Sequence, residues 1–224
     1  PKLINVSNLI ELRTIGIGSI FKAVLYYHIY DEKLYIIKKP NVNDPEIPKL
    51  LKRENSNLQK IRHPFIPKYY GTVDIDGNIC PVIEFINGRT LSKEIESSHL
   101  SELEKLKIIT QLISVVKYLH ENGFICRDLK SDNFIIDRKK YLVVIDFDRM
   151  IEKKVVEDEN FVHSLIFDKE KLTNEYDIYS IGKIIAELIP DIETNDDYEM
   201  IYSIYEECID ENPSNRPSIS FLFC

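Results

Sequence analysis

The apolar residues of this chain change their period once, at Asn87-Gly88, and that switch limits the folds open to it. Before it, LIELRTIG, KAVLYYHIY and LYIIKKP are short runs rich in β-branched and aromatic residues, the composition of strands. Asp31-Glu32-Lys33 reads as the turn between the second and third, and YYGTVDIDGNICPVIEF as a hairpin folded about Asp76-Gly77-Asn78. One helix interrupts them: in PKLLKRENSNLQKIR, Leu50, Leu51, Glu54, Leu58 and Ile61 recur at helical spacing until His63-Pro64 ends the pattern. After the switch the period is about 3.6. Ser101-x-x-Glu104 is a capping box opening a long helix, with Leu103, Leu106, Ile109, Leu112, Ile113, Val116 and Leu119 on its inner stripe and Gly123 at its end. FIID and YLVVID form a short hairpin, DIYSIGKIIAELI is a helix stopped by Pro190, and YEMIYSIYEECI is another ahead of NPSNRPS. Strands first and helices after predict the α+β class. The expected architecture is one two-lobed domain over 1–224: a small antiparallel β lobe with one helix (1–83), a connection at 84–88, and a larger, mainly helical lobe (89–224).

Charge divides along the same line. The net charge of −8 hides a first stretch, residues 1–70, with 12 Lys+Arg against 6 Asp+Glu, so the remaining residues carry −14. An acidic main body argues against nucleic acid as the partner and suits a basic peptide, although a solvated surface accounts for the same charges. The four cysteines are scattered, without zinc spacing and too few for a disulfide framework, which fits a reducing cytoplasm or nucleus. No apolar run approaches the ~18 residues of a membrane span, and no signal segment opens the chain, so a soluble protein is expected.

The chemistry-bearing residues fall at the joints of this pattern. Gly16-Ile17-Gly18-Ser19 links the first two strands, where small residues let backbone N–H groups approach an anion; a plain hairpin turn accounts for them as well. Lys38 ends the third strand and Glu54 sits on the helix that follows. Asp128-Leu129-Lys130-Ser131-Asp132-Asn133 holds a carboxylate, an ammonium and a carboxamide in one loop between the long helix and the hairpin. Asp146 closes the apolar run YLVVID, where a carboxylate is costly unless a cation or hydrogen-bond donors meet it. A cradle, a cation, magnesium ligands and a carboxylate near a hydroxyl are the parts that phosphoryl transfer needs.

In that order and spacing the motifs resemble those of the eukaryotic-type protein kinases over almost the whole chain. Gly16-x-Gly18 resembles the glycine-rich loop and Tyr35-Ile36-Ile37-Lys38 the V-A-I-K strand; Glu54 is similar to the glutamate of helix C. Ile83 stands at the gatekeeper and Glu84-Phe85-Ile86 at the adenine-binding hinge. Cys126-Arg127-Asp128 resembles H-R-D, Asp146-Phe147-Asp148 resembles D-F-G, and Asp177 to Gly182 and Asn212 to Pro217 resemble two later motifs. The resemblance implies ATP and Mg2+ as cofactors, with a protein serine or threonine as acceptor, Lys130 following the Ser/Thr pattern. It implies that Lys38, held by Glu54, meets the α- and β-phosphates beneath Gly16, Ile17 and Gly18. Ala23, Ile36, Ile83, Glu84, Ile86 and Ile135 then line the adenine site. By the same resemblance Asp128 takes the hydroxyl proton, Lys130 steadies the γ-phosphate, and Asn133 and Asp146 hold magnesium. Two rivals stand beside the kinase reading: a pseudokinase acting as a binding or scaffold module, and a small-molecule phosphotransferase, against which the Asp177 helix and NPSNRPS argue.

Departures from the family fall on packing, hinge and docking positions. Cys126 replaces histidine, Asp148 replaces glycine and Ile36 replaces alanine. Leu165 falls where the glutamate of A-P-E pairs with the late arginine, so Arg216 must be exposed or find another acid such as Asp168 or Glu170. Arg127 is expected to meet the acidic run Glu157-Asp158-Glu159, and the stretch from Pro190 to Tyr198 is short for the usual substrate-docking helix.

Overall fold

Residues 2–156, 172–190 and 198–222 are described by the computed structural model, and the chain divides into two units, residues 1–86 and 87–224. In the first unit the predicted strands are β1 (Leu9–Ile17), β2 (Phe21–His28), β3 (Lys33–Pro40), β4 (Tyr69–Ile75) and β5 (Asn78–Glu84). They form one antiparallel sheet in the order β1-β2-β3-β5-β4. Asp76 and Gly77, with φ of 52° and 81°, make the two-residue turn of the β4–β5 hairpin, a left-handed pair whose twist matches that of the strands. Helix α1 (Ile47–Lys60) packs on β5 and β4 through Ile47, Leu51 and Leu58. Ile47 and Leu51 close a core with Val24, Tyr26, Tyr35, Ile37, Val73, Cys80 and Val82.

The second unit opens with β6 (Gly88–Thr90) and α2 (Leu91–Glu96), capped by the Thr90 hydroxyl. Then follow α3 (Glu102–Glu121), β7 (Phe124–Ile125), β8 (Phe134–Asp137), β9 (Leu142–Val144), β10 (Ile151–Glu152), α4 (Lys153–Val156), α5 (Asn174–Leu188), α6 (Glu199–Cys208) and α7 (Ile219–Leu222). The predicted hairpin is β8–β9, and β6 adds a third strand beside β8. Three residues are too few to show a period, so β6 was invisible in the pattern. Its closeness to β8 requires a glycine: a Cβ on Gly88 would lie 2.1 Å from the Ile136 carbonyl oxygen.

Both halves of the Ser101/Glu104 capping box form at the start of α3. The inner stripe is shorter than the spacing predicts, for Leu103 is 77% and Leu106 36% exposed, and burial begins at Ile108. An apolar stripe is buried only as far as its partners extend, and β7, β9, α5 and α7 pack on α3 where Ile108 to His120 are buried. The expected α+β class is thus seen unit by unit, a sheet with one helix and then a mainly helical unit. Among the described residues Cys80, Cys126 and Cys208 are free and buried, and no helix is long and apolar enough to cross a membrane.

Candidate active site

In the first unit, β3 carries Lys38 opposite Ala23 of β2, and α1 turns Glu54 to its buried side with Leu51 and Leu58. The Lys38 Nζ lies 3.0 Å from Glu54 Oε1, with the two side chains only 13% and 4% exposed. Two charges so far out of water need each other, which fixes the ammonium at the end of the strand. The Phe21 ring, 5.4 Å from Nζ, adds a cation–π contact.

The glycine turn is lightly held. Gly18 N–H donates to the Phe21 carbonyl at 2.8 Å, and Asn41 Nδ2 donates to the Gly18 carbonyl at 3.1 Å. A Cβ on Gly16 would meet only the Ala23 Cβ, at 3.8 Å, and one on Gly18 the Phe21 oxygen at 3.1 Å. Neither glycine has a left-handed φ, so the fold of this unit does not itself demand glycine at Gly16. Ile17 between them is 75% exposed. Ile36 and Ile83 face each other across β3 and β5 and are both buried. Glu84 ends β5 with its amide on the Lys68 carbonyl and its carboxylate on the Lys68 amide, and Ile86 is the last residue of the first unit.

In the second unit the loop between α3 and β8 gathers its polar groups on one carboxylate. Asp128 Oδ2 accepts from Lys130 Nζ at 2.9 Å and from Asn133 Nδ2 at 3.1 Å, and the same amide nitrogen donates to the Asp128 carbonyl at 2.8 Å. The carboxamide nitrogen of Asn133 is thereby committed to Asp128, which turns its oxygen the other way. The Asn133 carbonyl accepts from Ile145 N–H at 3.0 Å, which draws Asp146 alongside, and both residues border one crevice with Asp128. Oxygen atoms of a carboxylate and a carboxamide are the hard ligands magnesium prefers, so Asn133 and Asp146 fit such an ion chemically. Ile135 sits in β8 between Thr90 and Val143, half-buried.

Two of the unusual residues, Cys126 and Asp148, meet this crevice or adjoin it. Cys126 and Phe147 both line it and are both buried. Burial, and the negative charge of Asp177, push the Cys126 thiol well above its ordinary range, so it behaves as a small apolar group. Asp148 does not take a left-handed φ, so this backbone does not need the glycine it replaces; its amide donates to Asp146 Oδ1 at 3.2 Å.

Asp177, at the start of α5, does more than its motif suggested. It is fully buried, and it accepts from the Cys126 amide, the Arg127 amide and His120 Nε2, each at 2.8 Å. Arg127 has φ 70°, a strained value for a residue with a side chain, and these bonds over-determine it. A carboxylate on the apolar stripe that also carries Ile178, Ile181, Ile184 and Ile185 was the signal available in the sequence. Arg216 is half-buried: Nε donates to the Asp210 carbonyl at 2.9 Å, Nη1 to the Glu175 carbonyl at 3.0 Å, and the guanidinium lies 4.8 Å over the Tyr179 ring. Carbonyls and a ring therefore meet the cation for which a carboxylate partner was sought. Glu157, Asp158, Glu159, Leu165, Asp168 and Glu170 lie outside the described residues.

Residues 9–207 match the family of the protein kinase domain. The carbon catabolite-derepressing protein kinase of Candida glabrata is 28% identical over 194 residues, 80% of this chain and 31% of that protein. The CBL-interacting serine/threonine-protein kinase 21 of Arabidopsis thaliana is 29% identical over 199 residues, covering 84% of this chain and 48% of that one. The human hormonally up-regulated neu tumor-associated kinase is 35% identical over 144 residues, 62% of this chain and 20% of its own length. The chain spans less than half the length of each of these relatives.

Proposed function

The chain belongs to the protein kinase domain family, and from that premise we propose that it transfers the γ-phosphoryl group of ATP to a serine or threonine hydroxyl of a protein. The observation that carries the reading is the convergence of Lys130 and Asn133 on one oxygen of Asp128, with Asp146 drawn to the same crevice. Asp128 would orient the acceptor hydroxyl and take its proton as the new O–P bond forms. The bond from the γ-phosphorus to its bridging oxygen breaks, and ADP carries away that electron pair. Lys38, fixed by Glu54, would oppose charge on the α- and β-phosphates, and Lys130 charge on the γ-phosphate. Amides of the Gly16–Gly18 turn would cover the nucleotide, consistent with a glycine that the unit itself does not require. Magnesium held by Asn133 and Asp146 would neutralise phosphate charge. The excess of acidic residues after residue 70 suits a basic substrate segment.

Radiolabelled ATP with a basic acceptor protein tests this. Asp128→Ala should lower transfer by about 10²–10⁴-fold while ATP still binds, and turnover retained in that variant would contradict the role of Asp128. One observation favours a second reading, a nucleotide-binding module without transfer. Ile36 is only 8% exposed and opposed by Ile83, and by the family resemblance it would fill the wall on which an adenine rests. If it crowds the nucleotide, Ile36→Ala binds ATP more tightly in calorimetry; affinity that stays level or drops removes the crowding argument. Native transfer no faster than that of Asp128→Ala would decide for the second reading.

A further inference from the structure

The loop that carries Asn133 is tied near its end by a hydroxyl from another element. Ser92, in the first turn of α2, donates to Asp132 Oδ1 at 2.6 Å, across 40 residues of sequence. We propose that Ser92 is a positioning residue for phosphoryl transfer, fixing through Asp132 the place from which Asn133 acts. The inference rests on the kinase reading of the same loop and adds to it a residue that none of the sequence motifs includes.

Ser131–Asn133 is a single 3-10 turn, closed by the Asn133 amide on the Lys130 carbonyl at 2.9 Å. Such turns have poorer hydrogen-bond geometry than an α-helix and keep their place through their surroundings. Ser131 and Asn133 are buried and Asp132 between them is exposed, so its side chain leaves the turn on the other side. There Ser92 is the one hydrogen-bond partner of its carboxylate among the described residues. An ionised carboxylate only accepts, so the Ser92 proton lies toward Asp132. The Ser92 oxygen is left to accept from Thr90 Oγ1 at 2.9 Å, and Thr90 Oγ1 accepts from the Lys93 amide at 3.4 Å. Three donors in series thus face one negative charge, and each polarises the next.

The anchor of this tie is itself firmly set. Leu91 is fully buried, and the buried Glu94 meets Arg89 at 3.4 Å and Lys140 at 3.3 Å. β6 leads into α2 and pairs with β8 directly after the loop, Thr90 opposite Ile135. Releasing Asp132 therefore frees its neighbour Asn133 to drift from Asp128, whose Oδ2 its amide nitrogen reaches at 3.1 Å.

Steady-state transfer by the full chain to a basic acceptor protein tests the inference. Ser92→Ala and Asp132→Ala should each lower kcat about fivefold while the KM for ATP stays put. The double variant should fall no further than either single one, because both remove the same bond. Ser92→Thr keeps the hydroxyl and should restore kcat. Titration with Mn2+ beside a non-hydrolysable ATP analogue reads the tie without transfer. Ser92→Ala should weaken that ion about fivefold, and Ser92→Thr should leave it as in the native chain. Native transfer no faster than that of Asp128→Ala would sink the kinase reading, and the Mn2+ series would still decide the role of Ser92. The inference is overturned by losses that add in the double variant, by threonine that does not rescue, by a change confined to KM, or by Mn2+ binding that is absent or indifferent to Ser92→Ala.

Discussion

The loop from Cys126 to Asn133 and the turn from Gly16 to Ile20 are held by opposite means. The loop contains a left-handed Arg127 and is tied from below by a fully buried carboxylate, with its own amide and ammonium donors drawn onto Asp128. The turn has ordinary backbone angles, two backbone bonds outside the strand ladder, Gly18 N–H to the Phe21 carbonyl and Asn41 N–H to the Ile20 carbonyl, and one side-chain bond from Asn41. Strain persists where surrounding bonds over-determine a conformation, which suits a carboxylate that must point one way. A lightly tied turn suits a segment that must close around something of its own size.

Three substitutions would break or sharpen this contrast. The largest effect is expected from Asp177→Ala, which leaves three buried donors without an acceptor, at about 1–3 kcal/mol each. Urea unfolding should then show a loss of about 3 kcal/mol or more, and a loss under about 1 kcal/mol would mean the loop is not pinned from α5. Arg127→Gly should act in the other direction. A left-handed residue with a side chain costs about 1–2 kcal/mol and glycine returns roughly half of that as chain entropy, so stability should hold or rise by up to about 1 kcal/mol. A marked fall would show that the Arg127 side chain, not its backbone, is what the site needs. The smallest change in stability belongs to Gly16→Ala, within about 0.5 kcal/mol, since its Cβ finds only Ala23 at 3.8 Å. ATP affinity should nonetheless fall several-fold, and an unaltered affinity would leave the turn as turn chemistry alone.

How much of this was legible depended on range. The Asp76-Gly77 turn and the Ser101/Glu104 box are written within four residues, because their physics is local, a left-handed pair in one and two reciprocal hydrogen bonds in the other. The order of Lys38, Glu54, Asp128, Asn133 and Asp146 was legible as spacing, and the pairing of Lys38 with Glu54 and of Asp128 with Asn133 follows it. The role of Asp177 was not, since its partners lie 50, 51 and 57 residues away. Nor was the emergence of Leu103 from the α3 stripe, because periodicity tells which residues share a helix face but not how far a neighbour covers it.

The amino-acid order by itself therefore determined the strand-then-helix division, the local turns and caps, and which residue types can meet a phosphate. Only the folded chain decided that a buried aspartate braces a strained arginine and that carbonyls and a tyrosine ring receive Arg216. The reason is that hydrogen bonds between distant segments leave no period in the sequence: each partner looks ordinary until burial strips away its water.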